Sequence, residues 1–160
     1  MRKWNNILAR VIIVLFLLHA LMGSLMLLGM SNISFKPLSW LLFSAVAVHG
    51  ILGVLSTVQA VKGGKESGKW YLRQNAAYWT KRFSGFAILI LLCFHISAYT
   101  TTVGGAFFLK EFTVGRMTAQ LLLIISIFIH LAVSVKSMLI VKGVTKFKER
   151  TVDWMMVLSL

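Results

Sequence analysis

Residues 82–102 read RFSGFAILILLCFHISAYTTT, an apolar run that is long enough to cross a lipid bilayer. His95 lies well inside this run. At about 100° per helical residue, Ser84, Ala98 and Thr102 fall near the azimuth of His95. The run therefore predicts a membrane helix with one face that carries an imidazole between small or polar residues.

The same pattern recurs in three other apolar runs, each of which carries one histidine. The predicted helices are 7–30 with His19, 38–61 with His49, 82–103 with His95, and 117–141 with His130. The first is expected to be a retained helix rather than a signal peptide, because it lacks a small-residue cleavage site. Between the runs, 31–37 is expected to be a turn, 104–116 a loop, and 70–80 a helix lying at the membrane interface.

The composition argues against an aqueous fold. Of 160 residues, 58% are hydrophobic and only 13% are charged, whereas soluble domains average about a quarter charged residues. The mean hydropathy is +0.84. The net charge is +13, and the charged residues lie between the apolar runs and do not form a stripe along one element. This placement indicates membrane topology and contact with anionic lipid, and it argues against nucleic-acid binding.

Cys93 is the only cysteine, so disulfides and covalent haem attachment through CxxCH are excluded.

The distribution of lysine and arginine predicts the topology. Most of these residues lie at the N-terminus, in the connection 62–81 and in the tail 142–160, while the other side has Lys36, Lys110 and Arg116. The positive-inside rule then places both termini in the cytoplasm. We therefore expect an all-α integral membrane protein, a four-transmembrane-helix up-down bundle that forms a single domain.

The depth of the histidines is the main functional signal. Counting about 1.5 Å per residue, each lies roughly 13–20 Å from the flanking charged residue of its run, in a hydrocarbon core about 30 Å thick. A single histidine at this depth is readily explained by a helix-to-helix hydrogen bond. The small residues nearby, such as Ser126 and Ser134 beside His130, are explained by close packing of the helices. Neither explains one histidine on every run.

Metal binding is a second interpretation of the histidines. A compact zinc site would normally bring carboxylates or cysteines, and no acidic residue lies inside the runs. Neutral imidazoles that pair across a bundle suit non-covalent, bis-histidine haem iron instead. Four ligands would hold two haems.

Two segments resemble a known family. The segment RFSGFAILILLCFHISAY (82–99) is similar to the third helix, and HALMGSLMLLG (19–29) to the first, of the dihaem cytochrome b subunit of succinate:quinone oxidoreductases. These subunits anchor succinate dehydrogenase and fumarate reductase in the membrane. The runs around His49 and His130 match by position and by their single histidine, so the resemblance covers about residues 7–142.

The resemblance implies two b haems with ligand pairs His19/His95 and His49/His130, the second pair nearer the cytoplasm. It also implies a multi-pass subunit of the bacterial plasma (inner) membrane with no catalytic residue of its own. Such a subunit passes electrons between a membrane quinone and a cytoplasmic flavoprotein, through an iron–sulfur subunit. Arg82 and Ser84 are candidate contacts for a quinone or a haem propionate.

The sequence departs from the family in two ways. Single-chain members usually have a fifth, ligand-free helix, and some use acidic residues near the outer haem, where this sequence offers Glu111 in an outer loop. Two alternatives remain open: a cytochrome b subunit of formate dehydrogenase or hydrogenase type, and a haem-free membrane protein that uses its histidines structurally or as proton relays. The absence of Asp and Glu from the runs disfavours proton-coupled transport. A homo-oligomer also stays open.

Overall fold

The fold is that of a computed structural model, which describes residues 2–31, 36–68, 75–98, 101–103, 106–108, 110–111 and 113–144. The elements in chain order are α1 (Arg2–Leu27), α2 (Lys36–Ser67), α3 (Ala76–Ala98), β1 (Thr101–Val103), β2 (Ala106–Phe108) and α4 (Val114–Val141). Within these described ranges, the four helices occur in the predicted order.

All four helices are long and apolar enough to cross a membrane. The shortest candidate span has 23 residues, which at about 1.5 Å per residue exceeds a hydrocarbon core of about 30 Å. Large apolar side chains face outward: Leu21 on α1 is 59% exposed and Ile124 on α4 is 56% exposed. Among the described residues, only Leu38, Ala98 and Leu123 are buried apolar side chains. This outward apolar surface and the four helices suggest a multi-pass membrane protein.

Contacts divide the chain into two compact units, Met1–Lys69 with Ile96–Phe112, and Trp70–His95 with Thr113–Leu160. We call them the α1–α2 unit and the α3–α4 unit and describe each by itself. In the α1–α2 unit, α1 packs against α2. In the α3–α4 unit, Ser84 contacts His130 and His95 contacts Gln120. Because residue numbers rise along α3 as they fall along α4, these two helices run antiparallel.

A glycine with positive φ follows three of the helices, α1, α2 and α4, and the hydrogen bonds of a complete motif are seen after α1 and α4. At the end of α1, Gly29 has φ 70°, and the N–H of Met30 donates to the carbonyl of Leu25 at 2.9 Å. Gly143 after α4 has φ 71° and closes the same hydrogen-bond pattern. This is the Schellman motif, in which any residue with a Cβ would be strained at the positive φ. Both ends therefore satisfy their last carbonyl groups within the chain.

Helix α2 extends further than the sequence predicted. It was expected to end near Val61 but continues through Gly63 to Ser67. A glycine in a helix interior costs about 1 kcal/mol relative to alanine, and an established helix tolerates this because each further residue adds a hydrogen bond. Lys65 in the last turn also interacts favourably with the helix C-terminus. The first part of the predicted 62–81 connection is therefore helical.

The other helices also begin earlier than predicted. Helix α3 begins at Ala76, so the interfacial helix predicted over 70–80 is, where described, the first turn of α3. Helices α1 and α4 begin at residues 2 and 114. Thr113 caps α4, since its side chain accepts a hydrogen bond from the N–H of Arg116 at 3.3 Å. Several parts of the predicted organisation lie outside the described residues. These are Lys69 and Arg73 of the connection, most of the 31–37 turn, and the tail beyond residue 144.

The predicted end of the third helix is wrong. The helix stops at Ala98, and Thr102 lies in β1 with Phe107 of β2 opposite it in an antiparallel pair. Thr102 therefore does not extend the helical face of His95. β-Branched and aromatic residues favour strands, and the sequence places Gly-Gly at 104–105, a composition that favours hairpin turns. The loop predicted over 104–116 thus includes one strand of a short hairpin.

Candidate functional site

His130 on α4 contacts the start of α3 through one ring nitrogen. Its Nδ1 lies 3.1 Å from the hydroxyl oxygen of Ser84 and 3.1 Å from the backbone carbonyl oxygen of Lys81. A carbonyl oxygen can only accept, so Nδ1 carries the proton and donates. The lone pair of the neutral ring is then on Nε2. Metal-ligating histidines use this arrangement, with one ring nitrogen bonded to a carbonyl and the other facing the metal.

Two small residues of α3 fit around this imidazole. Ser84 is the only buried polar side chain in the described part of the chain. Its hydroxyl donates to the carbonyl of Thr80 at 2.7 Å, so its oxygen is left to accept from Nδ1 of His130. At Gly85, a Cβ would lie 3.2 Å from Cε1 and 3.4 Å from Nδ1 of the same ring. An alanine at residue 85 would therefore require the ring to shift by a few tenths of an ångström.

His95 on α3 makes a corresponding contact with α4. Its Nδ1 lies 2.8 Å from Oε1 of Gln120, and an amide oxygen can only accept. The proton is therefore again on Nδ1 and the lone pair on Nε2. In the α3–α4 unit, Nδ1 of each histidine thus faces an oxygen acceptor.

The two histidines of the α3–α4 unit lie at different levels along the helix pair. His130 is level with Ser84, and His95 lies about 16 Å further along α3 at about 1.5 Å per residue. Two imidazole nitrogens on one metal atom lie within about 4 Å of each other, since metal–nitrogen bonds are about 2 Å long. His95 and His130 therefore cannot ligate the same metal atom.

The α1–α2 unit has the same separation of levels. Nδ1 of His19 lies 3.3 Å from the hydroxyl oxygen of Ser39, near the start of α2. A hydroxyl can donate or accept, so this contact is compatible with either tautomer. His49 is half-buried and lies about 15 Å further along α2 than Ser39. His19 and His49 are therefore also too far apart to share a metal.

The basic pair at the start of the 82–102 run has distinct contacts. Lys81 donates from Nζ to the hydroxyl oxygen of Ser137 on α4 at 3.2 Å. The guanidinium carbon of Arg82 lies 4.8 Å from the centroid of the Tyr78 ring, a cation–π contact. Within the described residues, Nε of Arg82 and the hydroxyl oxygen of Tyr78 are buried atoms without a hydrogen-bond partner. A carboxylate or carbonyl oxygen from a ligand would satisfy these donors.

The described residues do not form a metal site that is built from protein ligands alone. Across the described ranges, no group of three or more His, Cys, Asp or Glu side chains could hold a metal ion. Iron in a porphyrin needs only two protein ligands, and bis-histidine ligation requires no acidic residue. The Nδ1 contacts of His95 and His130 are compatible with axial ligation through the other ring nitrogen.

The structure brings some of the predicted site residues together and adds others. It joins Ser84 to His130 and directs the Arg82 side chain onto Tyr78. Sequence reasoning missed Gln120, for which a lone carboxamide in the fourth apolar run was the available signal. It also missed the carbonyl of Lys81, which no side-chain pattern reveals.

The chain was compared with protein-family models, curated proteins and solved structures, and none matches.

Proposed function

We propose that the chain is a haem b-binding membrane subunit that transfers electrons between a membrane quinone and a cytoplasmic flavoprotein with an iron–sulfur partner, of succinate dehydrogenase or fumarate reductase type. One observation carries the proposal: Nδ1 of His130 and Nδ1 of His95 each face an oxygen that only accepts. Such a hydrogen bond fixes the tautomer and orientation of a ligand ring and raises its basicity. The same contacts are also helix-to-helix hydrogen bonds, so the haem content of the purified chain is the measurement that separates the two interpretations.

The proposed ligand pairs are those that the family resemblance implies, and the levels within each unit are compatible with them. Within each unit, the two histidines lie too far apart along the helices to ligate one iron. We propose the pairs His19/His95 and His49/His130. In support, His19 lies toward the C-terminal end of α1, before the 28–35 connection, and His95 lies toward the C-terminal end of α3, before the 99–113 connection. In a four-span topology these two connections emerge on the same side of the membrane.

The residues of the chain hold and surround the ligands. Haem supplies one-electron redox chemistry when bound. The carbonyl of Lys81 and the hydroxyl of Ser84 hold the ring of His130, and Gln120 holds the ring of His95. The apolar helices exclude water and lower the dielectric around the site. Nε of Arg82, a buried donor, would bind a propionate or a quinone oxygen.

Haem analysis of the purified chain tests the proposal. Protein from haem-replete cells is expected to contain about two b haems per polypeptide by the pyridine haemochrome assay, because each of the four histidines supplies one axial ligand. A haem-free preparation would contradict the proposal and leave the histidines as helix-to-helix hydrogen bonds. A content of one haem would contradict the use of all four histidines.

The proposed topology gives the cytoplasmic partner a basic surface. Both termini and the 62–81 connection are on the cytoplasmic side of a bacterial plasma membrane in this topology. Lys62 and Lys65 are exposed at the end of α2, and Lys142 is exposed after α4. These charges suit anionic headgroups. They would also steer a partner of opposite charge and set its orientation more than its affinity.

Neutralising this surface tests the partner role. The triple variant Lys65→Gln/Lys69→Gln/Arg73→Gln is expected to keep both haem spectra and to slow quinol-driven reduction of the partner, most clearly at low salt, where exposed charges are least screened. A matched control removes the same charge from the other side, with Lys36→Gln/Lys110→Gln/Arg116→Gln. Turnover and co-purification equal to those of the control would leave the cytoplasmic charges with a topological role only.

A further inference from the structure

We propose that Gln120 is a positioning residue that orients His95 and sets the reduction potential of the haem that His95 ligates. This inference rests on the proposed function. Gln120 is half-buried on α4, and its Oε1 lies 2.8 Å from Nδ1 of His95 on α3. It is the only carboxamide in α4. A polar amide in an apolar span is costly unless it has a partner, and the imidazole is that partner.

The acceptor at His95 differs in kind from the acceptor at His130. His130 donates to a backbone carbonyl, which every residue at position 81 would provide. His95 donates to a side chain, so its acceptor depends on which residue occupies position 120. Residue 120 therefore controls one haem ligand without touching the other.

The direction of the effect follows from the basicity of the ligand. A strong acceptor at Nδ1 makes the imidazole a better electron donor through Nε2, which stabilises ferric over ferrous iron and lowers the reduction potential. Loss of the acceptor should raise the potential of that haem. A carboxylate in the same place should lower it, because a charged acceptor makes a stronger hydrogen bond.

Three variants of the intact chain in phospholipid nanodiscs test this inference by redox titration. Gln120→Leu is expected to raise one of two midpoint potentials and to weaken retention of that haem about 10–100-fold. Gln120→Glu is expected to lower the same potential and leave the other unchanged. A tenfold change in the relative stability of the ferric and ferrous forms corresponds to about 59 mV. The control is Thr118→Val, since Thr118 is exposed and donates only within its own helix, to Val114 at 2.9 Å.

A second measurement does not depend on haem. In the haem-free chain, ¹⁵N spectra should show the His95 proton on Nδ1, and Gln120→Leu should lose this preference while Thr118→Val keeps it. If Gln120→Leu loses one haem outright, Gln120→Glu should retain it at a lower potential. Unchanged potentials in both Gln120 variants, equal shifts of both haems, or loss of the haem from both variants would overturn the inference. Wild-type protein without haem would instead overturn the proposed function.

Discussion

Replacing His130 with alanine is expected to remove one of the two haems and to leave the spectrum of the other unchanged. Alanine has no ligand nitrogen, and the second histidine of the α3–α4 unit lies about 16 Å further along the helix pair, too far to take its place. His95→Ala is expected to remove the other haem for the same reason. Haem content per polypeptide and low-temperature absorption spectra measure both effects.

The fold should survive the loss of the imidazole at position 130. In membranes, a side-chain hydrogen bond between helices contributes about 0.6 kcal/mol on average, and Ser84 keeps its bond to the carbonyl of Thr80. Ser126→Ala and Ser134→Ala, one turn on either side of His130, serve as controls that should retain both haems. Two haems in His130→Ala would contradict its role as a ligand, provided that circular dichroism shows the same helix content as in the controls.

Much of the helical framework could be predicted from the sequence because each apolar run exceeds the bilayer core. The residues at which the helices begin and end were harder to predict from the sequence. Helix α2 runs through Gly63 because propagation of an existing helix outweighs the local cost of glycine. Thr102 was assigned to a helix by its azimuth, although a β-branched run followed by Gly-Gly favours a hairpin. Local turn chemistry prevailed there over helical periodicity.

The candidate site could also be predicted from the sequence only in part. The azimuth of Ser84 relative to His95, about 20° apart on an ideal helix, predicted that both share a face, and both contact α4. Which residues of α4 lie opposite them depends on the register of the two helices. That register is set by side-chain packing between helices and not by the periodicity of either one. Gln120 and the carbonyl of Lys81 could therefore be identified only once α3 and α4 were placed together.

The double variant His95→Ala/His130→Ala is expected to lose both haems, whereas His19→Ala/His95→Ala is expected to lose only one. In the first case the two changes remove a ligand from each iron. In the second, both changes fall on the same iron, so the second substitution adds no further loss. Haem content of the four single variants and of these doubles, with matched helix content, gives the measurement.

The decisive comparison is with the crossed double variant His19→Ala/His130→Ala. Levels within each unit already exclude pairs from the same unit, so only two sets of pairs remain: the proposed set and the crossed set of His19 with His130 and His49 with His95. Under the proposed set this variant loses both haems. If it loses only one, while His19→Ala/His95→Ala loses both, the crossed set is correct. The assumption that the 28–35 and 99–113 connections share a membrane side would then be wrong, because that shared side is what matches His19 to His95 in depth.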